Sequence, residues 1–403
     1  MINNNFKLIW FGKLISQLGD KFYAIALAWW ILQNTHSTVI MGFFMLTTAI
    51  PAIGIGLFTG ALTDRWNRKR MLVITDIVRG VLVLAIALLA AFGVLEIWQV
   101  FVIGALLSAA TSFFEPAIQA IVPDLVESSD LKKANGMSQM VGGVCQIAGP
   151  LCGALAVSLI GMTTVFFVNS ASYFIAAVLS ALLTWRKSEL ALDKKDSTVI
   201  QDIKEGLRYV RGQKRIITIL VIIGAAHFFV GSLFVALPFL ANRLSGKGVN
   251  NLGYLEMLMG VGLIAGSLLN GLKKNNVTDE EVLMKLIMGF GAAFLCLGLA
   301  QWRGCGNVLV YLPILLIIGV IIANASIFWQ LLLQLSITEQ MKGRVFGISS
   351  LIGNISMPIA FGVVGILLDF YSIYLIMLVS GICLISLGLI LLAGRKKEII
   401  VKK

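Results

Sequence analysis

Twelve apolar runs punctuate the chain, near residues 8–33, 38–62, 71–93, 97–121, 138–160, 163–185, 216–241, 252–272, 282–301, 307–332, 345–368 and 371–393. Each approaches the roughly 20 residues that a helix needs to cross a bilayer. Hydrocarbon offers no partner to a backbone N–H or C=O, so each run is expected to close its own hydrogen bonds as a helix. The fold class this predicts is an all-α membrane protein with twelve transmembrane helices.

Composition and charge point the same way. Apolar residues make up 58% of the sequence and charged residues 13%, against about a quarter charged in a soluble domain. The net charge of +12 raises the question of nucleic acid, but the basic residues sit at helix ends and in alternate loops. With the N-terminus inside, the outer loops hold only Arg243, Lys247 and Arg303, which the positive-inside rule requires. Both termini are therefore expected in the cytoplasm of a bacterial inner membrane, with the first helix retained. The partners implied are the lipid bilayer and a small-molecule substrate, with no nucleic acid. The five cysteines show neither a disulfide framework nor metal spacing.

The longest loop, Arg186 to Arg215, divides the chain into an N-terminal six-helix bundle (1–185), a linker (186–215) and a C-terminal six-helix bundle with a basic tail (216–403). Within the linker Ile200, Ile203, Leu207 and Val210 recur at helical spacing among charges. That marks an amphipathic helix, either lying on the cytoplasmic membrane face or simply solvated. The halves echo each other: Gly60-Ala-Leu-Thr-Asp64 against Gly266-Ser-Leu-Leu-Asn270, and Gly149-Pro150-x-x-Gly153 against Pro358 and Gly362. Internal duplication of this kind is a feature of transporters.

Two motifs carry a family resemblance. The charged turn Gly60-x-x-x-Asp64-Arg65-x-Asn67-Arg68-Lys69-Arg70 is similar to the loop between the second and third helices of the major facilitator superfamily, with Asn67 where Gly is usual. Asn tolerates the left-handed backbone that Gly would supply. The fifth helix has Gly136, then Gly149-Pro150-x-x-Gly153, which resembles the superfamily's antiporter motif with Cys145 replacing one Gly. Ser16-x-x-Gly19-Asp20, Phe113-Phe114-x-Pro116-Ala117 and Gly343-Arg344-Val345-Phe346 resemble the bacterial branch of macrolide efflux pumps and the enterobactin exporter. The resemblance implies the major facilitator fold and export. It also implies a cytoplasmic latch in which Asp64 faces the region of Arg344 and Arg68 reaches Asp124. The alternative is that Arg65, Arg68, Lys69 and Arg70 only orient the protein.

Charges inside the apolar runs are expensive, each about 2.5–3.5 kcal/mol at a helix centre by insertion scales, and so require partners or water. Asp76, Arg79 and Glu115 lie a few turns from the cytoplasmic end and are expected to form ion pairs extending the latch. Asp20 lies near the midplane with Gln17 on the same face, about 18 Å along its helix at 1.5 Å per residue. It is either the proton-coupling carboxylate or a permanent partner of Lys13, Lys21 or Arg79. His227 is expected to be a hydrogen-bonded core residue. No motif for a cofactor, a metal or an enzyme is visible. The expected function is proton-gradient-driven export of a hydrophobic or amphiphilic small molecule (drug, macrolide or siderophore-like) by a monomer. An uncoupled lipid or metabolite carrier and a non-transporting receptor or scaffold are the alternatives.

Overall fold

The computed structural model describes residues 4–65, 67–127, 130–184, 205, 207–272, 280–338 and 341–401. The first six helices are α1 (Asn4–Thr35), α2 (Thr38–Arg65), α3 (Arg68–Ala91), α4 (Ile97–Leu125), α5 (Leu131–Ile160) and α6 (Met162–Ala181). The others are α7 (Lys214–Arg243), α8 (Gly248–Leu272), α9 (Glu280–Trp302), α10 (Leu312–Ser336), α11 (Lys342–Phe370) and α12 (Ile373–Val401). A single 3-10 turn, Val308–Val310, precedes α10. The described residues contain no strand.

Eleven of these helices are long and apolar enough to cross a membrane, one fewer than the sequence pattern predicts. The exception is α1, whose apolar run is diluted by Lys13, Asp20 and Lys21. Large apolar side chains such as Phe92, Leu159, Phe370 and Ile390 are exposed on the outer faces of the bundle, as lipid demands. The polar exceptions, Asp76 and Arg79, are buried. The protein is thus a multi-pass membrane helical bundle.

The links are short because their geometry is set locally. The charged turn at Gly60–Arg70 is not a loop of that length: α2 runs on through Asp64 and Arg65, and α3 begins at Arg68. Asn67 does not take the left-handed conformation. It lies at φ −73° and ψ 108° and caps α3, its side-chain oxygen accepting from the Arg70 N–H at 3.0 Å. Asn is among the best residues for that role because its oxygen satisfies an otherwise orphaned helical donor. Gly161 alone joins α5 to α6 at φ +80°, a backbone region glycine enters without strain.

The chain divides into two compact units, Met1–Ala191 with Gly246–Met257, and Leu192–Ser245 with Leu258–Lys403. In the first, α1 packs on α5 and α6, α3 on α6 and α4, and α2 on α4. In the second, α7 packs on α11, and α9 on α12 and α10. The pairs α1/α5, α3/α6 and α3/α4 thus recur six helices later. The linker residues 185–204 and 206, which hold most of the expected amphipathic helix, lie outside the described residues. Beyond them residues 207–211 are helical, with Val210 buried. Arg344 forms an ion pair with Glu205 at 2.9 Å.

Candidate functional site

The polar residues of α1 recur at intervals that send them to different neighbours. Lys13 Nζ meets Glu115 Oε2 of α4 at 3.2 Å, and the Gln17 amide donates to Glu115 Oε1 at 2.8 Å. Asp20, at the middle of the 32-residue α1, accepts a hydrogen bond from the Tyr173 hydroxyl of α6 and lies 4.0 Å from Arg79 of α3. Lys21 Nζ donates to Gln146 Oε1 of α5 at 3.0 Å. Of the three cations that could have paired with Asp20, Arg79 is the one within reach. Gln17, placed beside Asp20 by helical spacing, gives its amide to Glu115.

Close approach of the helices makes these bonds possible. Gly19 precedes Asp20, and a side chain there would collide with Asn169 and Ser172 of α6. A Cβ at Gly149 would stand 2.6 Å from the Lys21 side chain, and one at Gly153 would stand 3.0 Å from the Phe22 Cα. The Gly149, Pro150 and Gly153 segment therefore does what small residues do in membrane helices and lets α5 lie directly on α1. The side chain position of Gly136 lies outside the described residues.

Arg79 is the hub. It is 1% exposed and pairs with Asp76, three residues earlier on α3 and 0% exposed. Its guanidinium also lies over the rings of Phe114 at 4.0 Å and Tyr173 at 4.5 Å. Cation–π contact of this kind helps a desolvated guanidinium. The satisfaction is incomplete: Asp76 Oδ2 and Arg79 Nε are buried without a hydrogen-bond partner among the described residues. Asp76 and Arg79, expected as an extension of the cytoplasmic latch, thus belong to one cluster with Asp20.

Asp20 and Glu115 keep a second side open, with 35% and 42% of their side chains exposed. Both line a cavity of about 710 Å³ walled by α1, α2, α4 and α6. That lies within the range of about 300–1,000 Å³ typical of small-molecule sites. Its wall is largely apolar, with Leu27, Met41, Phe44 and Met45 among its residues. A hollow of about 720 Å³ on α3 and α4 includes Ile74, Val78, Leu106 and Phe113 but none of the charged cluster. Its exposed apolar rims make it a lipid-facing groove. In the second unit a space of about 110 Å³ is bordered by His227, Phe290 and Trp329. His227 Nδ1 there lies 2.8 Å from the Ile223 carbonyl.

The expected latch is only partly in view. The side chains of Gly60, Asp64, Arg65 and Asp124 lie outside the described residues. Lys69 donates to the Leu183 carbonyl at 2.7 Å, tying the start of α3 to the end of α6.

The family model described as "Major Facilitator Superfamily" matches residues 9–361. The chain belongs to the major facilitator superfamily. It is 24% identical over 397 residues to the uncharacterized MFS-type transporter YfiS of Bacillus subtilis, covering 96% of this chain and 92% of that one. It is 24% identical over 392 residues to macrolide efflux protein A of Streptococcus pyogenes, covering 96% of each. A crystal structure of a mutant nucleoside transporter NupG superposes with a TM-score of 0.77 at 13% identity, over 96% of this chain and 99% of that one. At that identity the match shows the fold. The protein is a secondary transporter of the major facilitator fold.

Sequence reasoning missed Tyr173, Tyr23 and Gln146, and quoted Phe114 in a motif without foreseeing its contact with Arg79. Nothing local marks Tyr173, which is 153 residues from Asp20 in the chain. A visible signal did exist on α4, where Ser108, Thr111, Ser112 and Glu115 recur at intervals of three and four and so share one helical face.

Proposed function

We propose that the protein is a proton-coupled exporter of a hydrophobic or amphiphilic small molecule, working by alternating access of two six-helix bundles. In this reading α1 spans the membrane as the twelfth helix, residues 1–185 and 216–403 form the bundles, and 186–215 links them in the cytoplasm. The reading rests on Asp20, a carboxylate at mid-membrane depth that meets Tyr173 through one oxygen and Arg79 through the other, and whose side chain is still partly open to a cavity. Protonation removes its charge, weakens its hold on Arg79 and leaves that guanidinium to Asp76. Charged and neutral forms then favour different states of the cycle, since a ligand shifts an equilibrium by its differential affinity. Export is supported by the likeness to macrolide efflux protein A.

Inverted vesicles test this. Asp20→Asn imitates the protonated form and is expected to bind substrate but lose accumulation driven by a pH gradient, while Asp20→Glu keeps part of it. If Asp20 is instead a permanent partner of Arg79, Asp20→Asn lowers the melting temperature. A well-folded Asp20→Asn protein that still pumps against a gradient overturns the coupling role.

A further inference from the structure

The cavity wall has a directional character. Among the residues lining it, the charged groups are Asp20 and Glu115, both carboxylates, and no Lys or Arg. Lys13 and Arg79 stand behind these carboxylates, 12% and 1% exposed, rather than on the wall. The hydroxyl groups add to the asymmetry, because nearly all their protons are already given away. Thr48 donates to the Met45 carbonyl at 2.9 Å, and Ser108 to the Thr48 carbonyl. Thr111 donates to the Leu107 carbonyl and Ser112 to the Ser108 carbonyl, both at 2.9 Å. Tyr173 gives its proton to Asp20. A hydroxyl bonded back to its own helix keeps its lone pairs and loses its power to donate.

One group on the wall stands apart. Tyr23 is 7% exposed, and its hydroxyl has no hydrogen-bond partner among the described residues. The hydroxyl is itself covered, so what Tyr23 offers the cavity is its ring. That ring is an aromatic face one turn from Asp20 on the same helix.

From this acceptor-rich lining we infer that the cavity of the first unit is a recognition site for a protonated amine carried on an apolar body. The ammonium N–H groups donate to Asp20 and Glu115, with Ser112 and Thr111 as further acceptors. The apolar body lies among Met41, Met45 and Phe44. Unbranched, polarisable Met side chains adapt to varied shapes, so the site selects charge and donor more than outline. An anionic ligand of the same size meets two carboxylates and almost no donor, and is rejected. The inference rests on the transport reading only in treating this cavity as the place where cargo is held.

The test compares two dyes of similar xanthene body, cationic rhodamine 6G and anionic fluorescein, by fluorescence anisotropy with the purified full chain in dodecyl maltoside. The wild type is expected to bind rhodamine 6G at least about tenfold more tightly than fluorescein, a difference of about 1.4 kcal/mol. Ala28→Phe fills the cavity and controls for dye held by the micelle; it is expected to remove that preference. Glu115→Gln is expected to weaken rhodamine 6G about tenfold without strengthening fluorescein to the same extent. Equal binding of both dyes by the wild type overturns the inference, and so does an undiminished preference in Ala28→Phe at a normal melting temperature. If the variants fold poorly, the wild-type comparison against empty micelles still decides. A protein that prefers the cation but moves nothing in vesicles refutes the transport reading alone. A working pump without the preference refutes this inference alone.

Discussion

Replacing Arg79 by Met removes the hub of the cluster while keeping a side chain of similar length. Asp76, 0% exposed, then holds an uncompensated charge, and Asp20 loses its nearest cation. Breaking a buried pair by deleting one partner costs about 3–5 kcal/mol. Loss of the contacts with the Phe114 and Tyr173 rings, at 4.0 and 4.5 Å, adds about 0.5–2 kcal/mol. Arg79→Met is therefore expected to destabilise the protein by about 3.5–7 kcal/mol as these ranges combine. The second change, Asp76→Asn, separates burial from pairing. In Arg79→Met/Asp76→Asn no full charge remains buried beside α3, so part of the loss returns and the two sites show a coupling of about 2–3 kcal/mol. The assay is reversible unfolding in mixed micelles of dodecyl maltoside and sodium dodecyl sulfate, followed by tryptophan fluorescence and circular dichroism. A single variant costing under about 1 kcal/mol, or strictly additive effects, refutes the hub, since coupled neighbours depart from additivity by more than that.

Other consequences concern the motifs. Asp64→Asn is expected to abolish transport at normal expression if the Asp64 turn latches one conformation; full transport reduces Asp64 and its basic neighbours to orientation. Gly153→Leu drives a side chain into the Phe22 backbone, where its Cβ alone would stand at 3.0 Å; overpacking of this kind costs about 1–3 kcal/mol and is read as a lower melting temperature. Asn67→Ala removes the cap of α3 and is expected to cost about 1 kcal/mol, which Asn67→Ser restores in the same unfolding assay. A cysteine at Ser197 is expected to react with an impermeant maleimide only in inverted vesicles; labelling in intact cells overturns the cytoplasmic placement of the linker.

The sequence shows the helices because bilayer thickness imposes a length on every apolar run, and that constraint is local. It shows which residues are too polar for their surroundings, hence Lys13, Asp20, Asp76, Arg79 and Glu115. It does not show who pairs with whom. Lys13 and Glu115 lie 102 positions apart, and the Tyr173 hydroxyl reaches Asp20 across 153. Three cations competed for Asp20 on spacing alone, and the packing of both α1 and α3 on α6 decides for Arg79. The charged turn misled for a different reason. Charge reads as loop, yet Asp64 and Arg65 lie in the last turn of α2, because polar residues at membrane helix ends extend the helix into the interface.

The polar residues of α1 also explain how a helix too charged to count as a membrane span takes its place in the bundle. Each isolated charge carries an insertion penalty, and on α1 each is offset by a bond to a different neighbour: Lys13 and Gln17 to α4, Asp20 to α6 and α3, Lys21 to α5. The first helix is thus held by four others. The bonds differ in how they respond to motion. Asp76 and Arg79 share α3 three residues apart, so any shift of α1 leaves that pair intact. Asp20 meets Arg79 across a helix boundary at 4.0 Å and stays partly open to the cavity. A small displacement of α1, or the loss of charge on Asp20, changes the second contact without breaking the first. Arg79 keeps Asp76 when Asp20 shifts, so a change of charge on Asp20 would not leave the buried arginine unpaired. If Asp20 carries the coupled proton, as proposed, this arrangement explains why it, rather than the fully buried Asp76, would be the group that changes charge.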